Sequence, residues 1–230
     1  MKRFVLFLFT AVVVLSCEKD ESKSYAYWSK LVSEKRQEIN VLTSSVPCTN
    51  IEEFDIINKN GYFLVHPSIK IQFNRLMAEL EHLQVEASKA AEREGTYIYS
   101  DIIWMPNPPV RKVCEDGKPK LIFAQDLTLE EINGELPPRY EDIQNFYNDA
   151  PCINASDWQS QFLRTGCCME GIAVHKSIGT DEILEKIHIY NRLVEVKLAI
   201  DKTTCPGGCP NFAKAVQCID GKPVVELTNQ

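Results

Sequence analysis

The sequence predicts an α+β fold of two tandem α-β-α-β-β modules, each with a long helix packed on a small antiparallel sheet and each stapled by a disulfide. Three observations carry that expectation. Pro47-Cys48-Thr49-Asn50 recurs as Pro151-Cys152-Ile153-Asn154, with an aromatic six residues after each cysteine, Phe54 and Trp158. Cys114-Glu115-Asp116-Gly117-Lys118-Pro119 recurs as Cys218-Ile219-Asp220-Gly221-Lys222-Pro223. Cys48 to Cys114 and Cys152 to Cys218 each span 66 residues. Between these ends, His66-Pro67-Ser68-Ile69 matches His175-Lys176-Ser177-Ile178 at an offset of 109 rather than 104, so the second copy gains about five residues early and loses them later.

The elements of each copy follow from periodicity. Trp28, Leu31, Val32, Ile39 and Leu42 fall three, four or seven apart, which predicts a helix over 25–43. Its counterpart in the second copy is shorter, about 140–147. Tyr62-Phe63-Leu64-Val65 and Ile172-Ala173-Val174 read as short strands. The longest helix of copy one runs from about Lys70 to Glu94, with Phe73, Met77, Leu80, Ala87 and Ala90 on one face and Gly95 as its stop. Ile183, Ile187, Tyr190, Val194 and Leu198 repeat that face in copy two. Asp116-Gly117 and Asp220-Gly221 are turn residues between apolar runs, so each copy closes with a hairpin. Between the copies, Thr128-x-x-Glu131 has the form of a capping box, Gly134 of a helix stop and Pro137-Pro138 of a linker. The expected organisation is therefore 1–16 signal peptide, 17–24 acidic tether, 25–126 first module, 127–139 linker and 140–230 second module.

The 230 residues carry 25 Lys+Arg against 32 Asp+Glu. That acidic balance excludes nucleic acid as a partner, because phosphates need a basic footprint. Met1-Lys2-Arg3 followed by the apolar run Phe4 to Leu15 is too short to span a bilayer and fits a secretory signal. Val14-Leu15-Ser16-Cys17 resembles a lipobox, which implies acylation of Cys17 and a membrane anchor. Lys19-Asp20-Glu21 resembles the export signal of surface-exposed lipoproteins of Bacteroidota, so the expected address is the outer membrane, facing the cell exterior.

With Cys17 lipidated, an even set of eight cysteines remains in an oxidising compartment, where disulfides are the default. Copy one holds only Cys48 and Cys114, which pair if that copy closes alone, and symmetry then pairs Cys152 with Cys218. Cys167, Cys168, Cys205 and Cys209 belong to copy two. Bridges between the 167/168 and 205/209 pairs are expected, with the partners unassigned. A Cys₄ zinc site is the competing reading, though adjacent cysteines fit one tetrahedron poorly; a vicinal or redox-active pair is a further one. No resident metal or cofactor is expected.

The chain contains no H-E-x-x-H, G-x-S-x-G, P-loop or G-x-G-x-x-G. His66 and His175 are the best catalytic candidates, since they occupy equivalent strand-to-helix turns. The competing reading makes each a capping or packing group there.

Helices ending at SVPCTN and DAPCIN, a strand, a long helix and a Cys-x-Asp-Gly-Lys hairpin together resemble a family of Bacteroidota lipoproteins built from a small repeated module. The resemblance covers about 25–227 and implies architecture and address, with no established activity. Family members typically carry four cysteines per module, as copy two does. Copy one departs from that pattern, with Ile102 in place of Cys205 and the partner cysteine missing as well.

Function is therefore expected to be non-catalytic binding of an extracellular protein or glycan by two linked modules. The apolar, proline-rich stretch 97–109, with Trp104, Pro106, Pro108 and Pro109, is the candidate contact, together with 165–171, because both differ between the copies. A surface-tethered inhibitor or immunity factor against a hydrolase or toxin is the alternative. An enzyme using His66 and His175 is the second alternative.

Overall fold

The computed structural model describes residues 23–96, 107–205, 209 and 211–229. The fold is mixed α+β, with helices and two-stranded antiparallel sheets in the order α-β-β-α-β-β, stated twice. In the first half these are α1 (Tyr25–Thr43), β1 (Asp55–Asn58), β2 (Tyr62–Val65), α2 (Lys70–Glu94), β3 (Arg111–Glu115) and β4 (Lys118–Ile122). In the second half they are α3 (Leu129–Asn145), β5 (Trp158–Thr165), β6 (Cys168–His175), α4 (Thr180–Ile200), β7 (Asn211–Ile219) and β8 (Lys222–Asn229). Among the described residues no helix is long and apolar enough to cross a membrane.

Each half thus has one strand more than the sequence predicts. Asp55-Ile56-Ile57-Asn58 has too short an apolar run to announce a strand. It forms one because Lys59-Asn60-Gly61 turns the chain back, with Asn60 and Gly61 at φ 52° and 143°, and pairs Asp55 with Val65. In the second half the equivalent hairpin is twice as long, pairing Trp158 with His175 at its base and Thr165 with Cys168 at its tip. The five extra residues of copy two therefore lengthen this hairpin and place Cys167 and Cys168 at its end.

The predicted linker is not one. Residues 129–139 form the first eleven residues of α3, and Pro137 and Pro138 sit inside that helix. Thr128 Oγ1 accepts from the Glu131 N–H at 3.3 Å, and Glu131 Oε2 accepts from the Thr128 N–H at 2.9 Å, so the capping box starts the helix at Leu129 instead of Tyr140. Two prolines remove two backbone donors. The helix survives them because Ile132 and Ile143 are buried and Leu136 and Tyr140 pack beside them. With this start the duplication lengthens: Ser24, which caps α1 by accepting from the Tyr27 N–H, lies 104 residues before Thr128, and Ile39, the buried residue of α1, lies 104 before Ile143.

Two equivalent cores result. Ile39, Val65, Phe73, Leu76, Met77 and Leu80 fill the first, while Ile143, Val174, Ile183, Ile187 and Tyr190 fill the second together with Leu163 and Val194. A further core joins the halves. Val110 and Ile122 of the β3–β4 hairpin, with Ala124 and Leu127, pack on Ile132 of α3 and Ile189 and Leu193 of α4. Around it, Arg111 donates to Glu131 at 2.7 Å and to Glu135 at 3.1 Å, and Arg139 donates to the Val110 carbonyl at 2.9 Å. The last hairpin of copy one is thus a packing surface for copy two.

Four disulfides are formed. Cys48–Cys114 and Cys152–Cys218 have Cα separations of 5.4 and 5.3 Å, and in both copies the N–H of the first cysteine donates at 2.8 Å to the turn glycine carbonyl, Gly117 or Gly221. Cys167 pairs with Cys205 and Cys168 with Cys209. This assigns the partners that the sequence leaves open, and it removes the zinc and vicinal-pair readings by consuming all four thiols.

Candidate binding groove

The two histidines identify the site by contrast. In copy one, His66 Nδ1 accepts the Ser68 N–H at 3.2 Å and lies 2.7 Å from Ser68 Oγ, while its Nε2 faces Glu53 Oε2 at 3.4 Å. In copy two, His175 Nδ1 accepts the N–H groups of Ser177 and Ile178, both at 3.1 Å. Each imidazole spends its Nδ1 lone pair on the turn backbone, which places the ring proton on Nε2. The serine hydroxyl, imidazole and acid at His66 have the ingredients of a nucleophilic triad. In both copies the imidazole Nδ1 ties the strand-to-helix turn, which is the capping role the sequence also allows.

The copies differ at the far nitrogen. Asp157 occupies the position of Glu53, one methylene shorter, and among the described residues His175 Nε2 has no hydrogen-bond or ionic partner. The space opens into a groove of about 640 Å³. Its floor is a chain of edge-on rings: Phe146 to Tyr147 at 4.9 Å, Tyr147 to Trp158 at 5.1 Å and Trp158 to His175 at 5.0 Å between centroids. Its rim is apolar and open to solvent, with Ile153 at 88% and Ile178 at 53% exposure. Tyr147 donates to the Ile178 carbonyl at 2.9 Å and so fixes the floor to the turn. Burial pushes the Tyr147 phenol up from its ordinary range, keeping it a donor at neutral pH. Gly179 closes the end with a left-handed φ of 58°, and a Cβ there would meet the Phe146 ring at 2.8 Å. No family model, no curated protein and no solved structure matches the chain.

Copy one has no such surface in these positions. Leu42 and Thr43 stand where copy two has Phe146 and Tyr147, Thr49 stands where it has Ile153, and Ile69 packs into the core where Ile178 is exposed. The aromatic pair beside the repeated cysteine motif was the sequence signal for the groove, and periodicity missed it because both residues continue the apolar face of α3.

The other sequence-derived candidates fare differently. Pro108 and Pro109 are buried at the entry to β3, so this end of the 97–109 stretch is packing material instead of a presented surface. Trp104 and Pro106 lie outside the described residues, as do Cys17, Lys19, Asp20 and Glu21. Residues 165–171 form the tip of the β5–β6 hairpin, which both extra disulfides fasten to the chain after α4. Among the described residues no cluster of His, Cys, Asp or Glu is arranged to hold a metal.

Proposed function

We propose that the chain is a surface-anchored bacterial lipoprotein that acts by binding an extracellular partner, with the groove of the second copy as the contact surface. The observation that carries this is the pairing of exposed Ile153 and Ile178 with an ordered aromatic floor. A rim of that kind costs free energy in water and is recovered only when covered. The address rests on Cys17 and the acidic tether of the sequence. A surface-tethered inhibitor is the second reading, and the observation that favours it is the β5–β6 tip, locked by two disulfides into a rigid wedge.

The test sets the full chain, held on beads in detergent, against a random peptide library and a glycan array, beside an Ile153→Asp/Ile178→Asp variant. Retention by the wild type that the double variant loses is expected. A turnover that requires His66 and His175 and ignores Ile153 would move the assignment to an enzyme.

A further inference from the structure

The charge distribution of the groove narrows the partner, on the reading that the groove binds. Two carboxylates line it, Asp149 and Asp157. Both are exposed, and neither forms an ion pair among the described residues. Among the described residues no Lys or Arg lines the groove, and Lys186, whose ammonium stands 5.9 Å from the Phe146 ring, is paired with Asp142 at 2.7 Å and Glu182 at 3.5 Å. The charge that lines the groove is therefore negative, in a chain of formal charge −7. Aromatic faces add to that preference, because ring quadrupoles attract cations.

Between the acids, the floor offers Trp158 and Tyr147 to an apolar side chain, and His175 Nε2–H is a donor without a protein acceptor. We infer that the groove takes an extended basic peptide segment of a partner protein. One apolar or aromatic residue seats between Ile153 and Ile178, a neighbouring Lys or Arg meets Asp149 or Asp157, and a backbone carbonyl accepts from His175 Nε2. A volume of about 640 Å³ suits a few residues of extended chain. Peptide backbone supplies the acceptor that His175 lacks, and a cation beside the anchor matches both acids at once. A neutral oligosaccharide would make no use of the charge of the two carboxylates, and an acidic peptide would be repelled by them.

The Glu53-to-Asp157 difference between the copies agrees with this assignment. In copy one the longer acid reaches the imidazole and occupies its Nε2 side, as the 3.4 Å contact shows. In copy two the shorter acid leaves the nitrogen open and keeps its own charge for a ligand.

The test selects binders for the full chain in detergent from a random dodecapeptide library and measures them by fluorescence anisotropy. Three variants are compared: Ile153→Asp, Asp149→Asn/Asp157→Asn, and Val41→Asp, the last a control on an exposed residue of α1 remote from the groove. The expected peptides carry a large apolar residue beside Lys or Arg. Their affinity should fall roughly tenfold or more with Ile153→Asp, as expected of a central anchor. It should fall about fivefold with the paired Asp→Asn change and weaken as salt is raised. Val41→Asp should leave it unchanged. Acidic or uncharged binders that lose affinity with Ile153→Asp but ignore the Asp→Asn pair overturn the basic-peptide assignment and leave the binding function standing. Binders indifferent to Ile153→Asp remove the groove as the site. A wild-type chain that selects no peptide yet retains a glycan refutes the peptide class alone, and one that retains neither refutes the binding function as well.

Discussion

Replacing Gly179 by alanine probes the groove wall directly, because two costs act at once there and a second glycine isolates one of them. Gly179 and Gly95 adopt nearly the same left-handed backbone, at φ 58° and 62°. An L side chain in that conformation costs about 1–2 kcal/mol, part of which the lower entropy of the unfolded alanine chain offsets. At Gly95 a Cβ meets nothing within 4 Å, so Gly95→Ala should cost about 1 kcal/mol. At Gly179 the Cβ would lie 2.8 and 2.9 Å from two ring atoms of Phe146, and the ring must swing off Tyr147 to admit it. Overpacking of this kind adds roughly 1–3 kcal/mol, so Gly179→Ala should be the worse by about 2 kcal/mol. For a chain of this length that is a difference of about 4–8 °C in thermal midpoint by circular dichroism. In a Phe146→Ala background, Gly179→Ala should cost no more than Gly95→Ala does, since the clash is then gone. Equal midpoints for Gly179→Ala and Gly95→Ala would refute the argument, showing that Phe146 is not held against the turn.

Four other measurements bear on the molecule. Removing Cys48 and Cys114 together should cost about 4 kcal/mol by the entropy of closing a 66-residue loop; removing Cys168 and Cys209 alone should cost little, because Cys167–Cys205 already closes almost the same loop, and urea titrations of the two variants compare them. Glu131 is held at a pKa of about 2, first by the Thr128 N–H and then by Arg111. A carboxyl lowered on folding stabilises above the ordinary carboxylate range near 4 and ceases to do so as pH falls towards 2, so the stability gap between wild type and Glu131→Gln should be open at pH 6 and close by pH 2. An alkyne fatty acid fed to producing cells should label the wild type and not Cys17→Ala, and protease added to intact cells should remove the wild-type chain but spare one with Lys19, Asp20 and Glu21 changed to alanine; an unlabelled or protected wild type would sink the proposed address.

The repeated cysteines made much of this fold legible, because a staple and a turn glycine need fixed spacing and leave a trace in the sequence. Cys48 and Cys114 could be paired from their spans, and Asp116-Gly117 marked its hairpin. What the sequence hid was set by contacts between distant segments. Pro137 and Pro138 argue locally against a helix and are overruled by the packing of Leu136 and Tyr140 on α4. Asp55–Asn58 becomes a strand only because β2 lies beside it. The groove was hidden for a third reason: Phe146 and Tyr147 look like core residues, and only the fold shows that they face an opening lined by Ile153 and Ile178.

The long-range disulfides also fix how far the chain can stretch. An unfolded residue extends by about 3.3–3.6 Å, so each 66-residue loop would otherwise release on the order of 200 Å of slack under tension. Because Cys48–Cys114 and Cys152–Cys218 lie across the path of any pull along the backbone, the force passes from sulfur to sulfur and leaves both loops coiled. The groove residues from Ile153 to Gly179 all lie inside the second loop. Tension running from one end of the chain to the other therefore cannot unspool the segment that forms most of the groove, and shear would dislodge a held partner before it could lengthen that segment.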